Sequence, residues 1–295
     1  MSATISKKIF RTLAAAVSTA ALAFAAACGT ATTNEADNSN TGTTSSSDIT
    51  QQTITPGKLT IATGDPAYEP WVMDNKPESG KGFESAIAYA VAKELGFDES
   101  DVVWTRTSFD AAIAPGAKDF DLNIQQFSVT DERKKAVDFA SSYYNDTTSI
   151  VVKADSKYAD ADDLDDFKDA TVGAMVGTLA YNDVKKNVNP NVQTFNDDVA
   201  LAQALDSGQI DALAVSTVEG VYMVQSEQVK NGKVLGRIPG SEDPNGMGIL
   251  LPKDSALTEA TQKALDTLKD DGTLKKLQDE WLAEYTTDIP ELEVD

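Results

Sequence analysis

The chain has 295 residues, one cysteine, no histidine and a formal charge of −22, with 47 acidic against 25 basic side chains. Apolar and charged fractions of 41% and 24% are ordinary for a globular protein, so the length suits one large domain or two smaller ones. The balance excludes a nucleic-acid binder, which needs clustered Lys and Arg. Without histidine no metal or cofactor is expected, and any enzyme would have to work through carboxylates, Tyr, Lys or Ser.

Lys7, Lys8 and Arg11 open the chain, and an Ala-rich apolar run follows from Thr12 to Ala27. This layout predicts a secretory signal peptide, too short to span a membrane. Ala25-Ala26-Ala27-Cys28-Gly29 resembles a bacterial lipobox, although Ala25 stands where Leu is usual, and residues 1–28 are therefore expected to be a lipoprotein leader with Cys28 as the lipidated residue. Residues 29–55 are Thr, Ser, Asn, Gly and Asp with almost nothing apolar. Such a segment cannot bury enough surface to order itself and is read as a tether, with an r.m.s. span of roughly 25–30 Å.

From Pro56 onward strands and helices alternate. Lys58–Ala62 has the period of a strand. Phe83, Ile87, Val91 and Leu95 lie four apart on a predicted helix that stops at Gly96. Val102–Trp104 reads as a strand, 109–113 as a short helix and 121–127 as a strand. The rhythm continues with strands at 171–176, 192–195, 210–215 and 248–251. Helices are predicted at 179–188, 197–205, 259–268 and 273–285. This alternation argues for an α/β fold, in which ligands sit in the loops at the carboxyl ends of strands.

Those loops hold the candidate residues. In Gln125-Gln126-Phe127-Ser128-Val129-Thr130-Asp131-Glu132-Arg133 a strand runs into a helix that Thr130 would cap. Arg133 opposes the dipole of such a helix, which makes sense if an anion docks there; pairing with Asp131 or Glu132 is the alternative. Asp65-Pro66-Ala67-Tyr68-Glu69-Pro70-Trp71 offers carboxylates and aromatics in a stiff loop, as a small-solute pocket needs. Gly177-Thr178 opens a helix with a hydroxyl, and Gly208-Gln209-Ile210-Asp211-Ala212 leads to Ser216-Thr217 at a strand end.

These stretches, together with Gly82-Phe83-Glu84, Val137-Asp138-Phe139, Tyr143-Tyr144 and Asp271-Gly272-Thr273 before Trp281, resemble in order the family 3 bacterial extracellular solute-binding proteins of polar amino-acid ABC importers. The resemblance covers nearly all of residues 56–295. It implies a periplasmic-binding-protein-like fold of two α/β lobes joined by two hinge strands, with the ligand in the cleft. Lobe 1 would be 56–146 plus 248–295, and lobe 2 would be 147–247.

The implied function is capture of a small polar solute, an amino acid or related carboxylate, by lobe closure. The expected protein is a monomer held by its lipid on the outer face of the bacterial cytoplasmic membrane, with permease transmembrane subunits as partners. By the same resemblance Arg133 takes the ligand carboxylate and Thr178 assists it. Tyr68 and Phe109 supply aromatic walls, and Gln125, Gln126, Phe127 and Ser128 supply hydrogen bonds. Ser216, followed by Thr217, stands where the family has an aspartate for the ligand ammonium. Either another acid replaces it, with Asp65, Glu69 and Glu219 the candidates, or the ligand lacks a standard α-ammonium. Two other readings are a cyclohexadienyl dehydratase-like enzyme with Glu69 or Glu84 as general acid, and a sensory input domain.

Overall fold

A computed structural model describes residues 49–189 and 191–294. The expected leader and Cys28 lie outside the described residues. Two five-stranded sheets organise the rest. The first holds β1 (Leu59–Thr63), β2 (Val102–Arg106), β3 (Leu122–Asn123), β4 (Val137–Tyr144) and a late strand, Met247–Pro252, in the order β2-β1-β3-late-β4. The second holds β5 (Thr148–Lys153), β6 (Val172–Met175), β7 (Gln193–Phe195), β8 (Ala212–Ser216) and β9 (Gly232–Arg237), in the order β7-β6-β8-β5-β9. The late strand is therefore β10. In each sheet parallel pairs carry helical crossovers, and antiparallel strands complete the other side. The chain passes between the sheets at 145–147 and again at 238–246, the two hinge segments of a two-lobed α/β protein.

Helix α1 (Phe83–Glu94) shows how sequence sets the first lobe. Phe83, Ile87 and Val91 are fully enclosed and pack with Leu59, Ile61 and Leu122 from the sheet. Gly82 starts it at φ 101°, and a Cβ there would stand 2.5 Å from the Trp71 carbonyl, so the turn admits glycine alone. After α2 (Phe109–Ile113), helices α3 (Leu179–Asn187), α4 (Asp198–Asp206) and α5 (Thr217–Gln225) cover the second sheet, which is apolar on both faces. Finally α6 (Thr258–Asp270) and α7 (Thr273–Trp281) return to the first lobe, and α8 (Ala283–Thr286) packs against both α7 and, from the second lobe, α5.

Several elements differ from the expected ones. Residues 49–55, read as tether, are ordered: Ile49 packs on the lobe 1 core, Thr53 is buried, and the Ile54 N–H donates to Asp121 Oδ1 at 2.7 Å. The residues beyond α8, assigned to lobe 1 with the rest of 248–295, cross to lobe 2. Leu292 is buried in its core, and the Leu292 N–H donates to the Arg237 carbonyl at 2.9 Å. The strand expected over 121–127 is only Leu122–Asn123, because Gln126 takes a left-handed φ of 49° that ends sheet geometry. The helix expected at Asp131 is a single 3-10 turn, Arg133–Lys135, since β4 begins at Val137. Glu132 takes the cap position in place of Thr130, whose hydroxyl still accepts the Arg133 N–H at 3.2 Å.

Candidate functional site

A cleft of about 470 Å3 lies between the lobes, at the strand ends and along both hinge segments. Asp65, Tyr68, Glu69, Phe109, Gln125, Gln126, Ser128, Arg133, Thr178 and Ser216 all line it. Two expected members do not. Phe127 is fully enclosed and backs Phe109, ring centroids 4.9 Å apart. Thr217 turns beneath the floor, its hydroxyl 2.7 Å from those of Thr147 and Ser149. Alternation along β8 (Ala212–Ser216) and the helix start after it explains the second case: Ser216 faces the cleft and its neighbour the core.

Arg133 is held on three sides. Its Nη1 donates to the Ser128 carbonyl at 2.8 Å, its Nη2 to the Gly177 carbonyl of the other lobe at 3.1 Å, and its guanidinium stands 5.0 Å over the Phe109 ring. The Asp131 and Glu132 alternative does not hold, since those carboxylates pair with Lys134 and Lys135. Burial lowers the Arg133 pKa, and Asp243 works against that shift by attraction. Half-buried and short of a carboxylate partner, the planar fork suits an incoming carboxylate. Across from it Gly177, at φ 79°, turns the chain into α3, and Thr178 caps that helix by accepting the Tyr181 N–H at 3.2 Å.

Gln126 owes its orientation to Glu84. That buried carboxylate accepts the Gln126 backbone N–H at 2.8 Å and short hydrogen bonds from the Gln126 side chain and the Tyr143 hydroxyl. Burial pushes Glu84 up to about 7, with these donors opposing. It lies behind the cleft wall, so it has no free oxygen to offer a substrate as general acid.

The cleft is strongly acidic. Asp65, Glu69, Asp110, Asp146, Asp197, Asp198, Glu219 and Asp243 line it, and Arg133 is the one cationic side chain among the lining residues. Of the three acids expected to replace the missing aspartate, Asp65 is exposed at the rim and Glu69 accepts the Asp74 N–H at 3.0 Å. Glu219 pairs with Asp198. Burial first, then the Asp198 charge, holds Glu219 well above the usual carboxylate range. Tyr68 faces this pair, and burial followed by the charges of Asp198 and Glu219 pushes its hydroxyl up to about 12. Asp146 and Asp243, on the hinge segments, were missed in the sequence, because nothing in an irregular crossover marks which side chains turn inward. Among the described residues no three His, Cys, Asp or Glu side chains converge as a metal site would require.

Two lobes closing on a polar cleft with a fixed guanidinium define a hinged solute-binding fold. The chain belongs to the bacterial extracellular solute-binding proteins, family 3, which it matches over residues 59–284. It is 29% identical to an arginine-binding extracellular protein, ArtP, of Bacillus subtilis (strain 168), over 88% of this chain and 96% of that one. Among solved structures it resembles an ancestral arginine-binding protein bound to arginine (TM-score 0.62, 30% identity, 77% of this chain and 99% of that one). It also resembles an ancestral amino-acid-binding protein, AncCDT-1, described as a precursor of cyclohexadienyl dehydratase (TM-score 0.60, 29% identity, 76% and 95%).

Proposed function

We propose that this protein captures a cationic α-amino acid, of the arginine and lysine class, outside the cytoplasm and delivers it to an ABC permease. The observation that carries the ligand class is the cleft lining, in which many carboxylates face a single guanidinium. In this reading Arg133 takes the ligand carboxylate, Tyr68 and Phe109 flank the aliphatic part, and Thr178 closes from the second lobe. Asp198 and Glu219 receive the cationic end. An uncompensated carboxylate pair is costly in a partly buried site, and a cation removes that cost. A neutral ligand leaves the cost in place, and an acidic one adds to it. The arginine-binding relatives support the same class.

The Arg133–Gly177 bond across the cleft supports lobe closure as the capture step, since a carboxylate arriving at Arg133 engages the guanidinium where the lobes meet. Lipid anchoring through Cys28 and a monomeric state are part of this proposal and rest on the leader's resemblance and the family. The dehydratase reading keeps Glu69 as its only cleft-lining acid of the two considered, because Glu84 is enclosed.

Thermal unfolding of the ligand-stripped protein against a panel of amino acids tests the proposal. A ligand at a thousand times its Kd adds about 4 kcal/mol, worth roughly 8–16 °C here. The expected result is a shift with L-arginine, L-lysine or L-ornithine. Shifts only with neutral or acidic amino acids would contradict the ligand class, and turnover of prephenate or arogenate would establish the enzyme instead.

A further inference from the structure

Asp146 and Asp243 stand opposite each other on the two hinge segments. The Asp243 backbone N–H donates to the Asp146 carbonyl at 3.1 Å, which ties the crossings together. Both residues line the cleft, and they are 7% and 4% exposed. One oxygen of each is engaged locally: Asp146 Oδ1 accepts the Thr147 N–H at 2.7 Å and Asp243 Oδ1 the Asn245 N–H at 3.0 Å. The other oxygen of each, Oδ2, is buried and has no hydrogen-bond partner among the described residues. A buried acceptor without a donor is costly, and two like-charged ones side by side are more so. Arg133 attracts Asp243 but gives neither carboxylate a hydrogen bond, its two terminal nitrogens being directed at the Ser128 and Gly177 carbonyls.

What the pair lacks is a compact cation with several donors. An ammonium group carries three N–H donors and a full charge in a small volume. A divalent metal would need six or more oxygens around it, and no third ligating side chain converges here. The neighbouring residue accounts for its own identity. Ser216 faces Asp146, and its oxygen accepts the Glu219 N–H at 3.2 Å. An aspartate in its place would set a third like charge against the pair.

We propose that Asp146 and Asp243 form the subsite for the ligand's α-ammonium, supplied from the hinge instead of from position 216. This rests on the cleft taking an α-amino acid, as proposed above. Burial supports it by pushing Asp146 up to about 6 even though the Ser216 hydroxyl and the Thr147 and Thr217 N–H groups oppose the rise, with the Asp243 charge adding a little, so an arriving ammonium has a costly carboxylate to relieve. Since both carboxylates sit on the segments about which the lobes turn, the ammonium also favours the closed arrangement. Binding and closure become one event.

The test is calorimetry on the full chain, comparing L-arginine with 5-guanidinopentanoate and L-lysine with 6-aminohexanoate. Each second compound lacks only the α-ammonium. The wild type is expected to prefer the amino acid by about 30-fold or more. Asp146→Asn and Asp243→Asn should each remove most of that preference while still binding the des-amino compound, which also shows that the variants are folded. A preference retained in both variants overturns the assignment and leaves the cationic amino-acid reading standing. Equal loss of both compounds in variants with native circular dichroism assigns the carboxylates to the hinge's structure alone, and also overturns it. Failure of the wild type to bind either amino acid removes the underlying reading, a result distinct from the other two.

Discussion

Arg133→Ala removes the group on which the ligand carboxylate is proposed to land. The guanidinium is already oriented by Ser128 at 2.8 Å, Gly177 at 3.1 Å and the Phe109 face at 5.0 Å, so little conformational freedom is lost when a carboxylate arrives. A charge-assisted hydrogen bond contributes about 1.5–3 kcal/mol, and a fork makes two. Part of this is offset where the carboxylate displaces the Gly177 carbonyl, leaving a net cost of truncation of about 2–5 kcal/mol. That is roughly a 30- to 4,000-fold rise in Kd. Arg133→Lys keeps the charge but loses the fork and the ring contact, and falls between the two. Calorimetry with L-arginine reads both variants, and agmatine, which has the guanidinium but no carboxylate, serves as control. Arg133→Ala should leave agmatine binding unchanged. Arginine affinity within about twofold of wild type, or an equal loss for agmatine, would refute the assignment, because neither fits a bidentate clamp.

The ligand-free protein should become more stable on mild acidification. Burial raises Glu84 from 4.5 to about 7 and Asp146 from 3.8 to about 6. Each is thus more readily ionised when unfolded, so ionisation opposes folding above the folded pKa, and the cost vanishes as pH falls towards the unfolded value. Each contributes about 3 kcal/mol when fully expressed, so Tm should rise between about pH 7.5 and pH 5. A steady fall in Tm over that window, followed by circular dichroism, would contradict the burial argument. Separately, Glu219→Gln fixes one member of the pair with Asp198 in its neutral form, so it can no longer release a proton to meet a cation. Affinity for L-arginine should fall by about tenfold, and the ligand-free Tm should change little at neutral pH, because no charge is removed from the unliganded pair. Unchanged arginine affinity would remove Glu219 from the cation site.

Much of the architecture was legible in the sequence because it rests on periodicity. The four-residue spacing of Phe83, Ile87 and Val91 set α1 against the first sheet, and the strand-turn-helix order set both lobes. Nine of the cleft-lining residues were named from loops at strand ends, where α/β topology places ligands, and Phe109 came from the family resemblance alone. The errors have local causes. Phe127 and Thr217 sit one residue from a cleft-facing neighbour, and no spacing rule gives the phase of an irregular strand end. The tether was drawn too long because Ile49 and the backbone acceptor offered by Asp121, far along the chain, are invisible to composition. Asp146 and Asp243 lie in crossovers whose backbone follows no repeat, so only the folded chain brings them together.

An acidic cleft with one guanidinium should select cationic amino acids. Calorimetric titration of the ligand-stripped protein with L-arginine and L-glutamine, which differ mainly in charge at the end of the side chain, decides whether it does. L-Arginine should bind tighter by about a hundredfold or more, because the half-buried Asp198–Glu219 pair has no cation of its own among the described residues. Equal affinity, or preference for L-glutamine, would show that the carboxylates lining the cleft do not set its specificity.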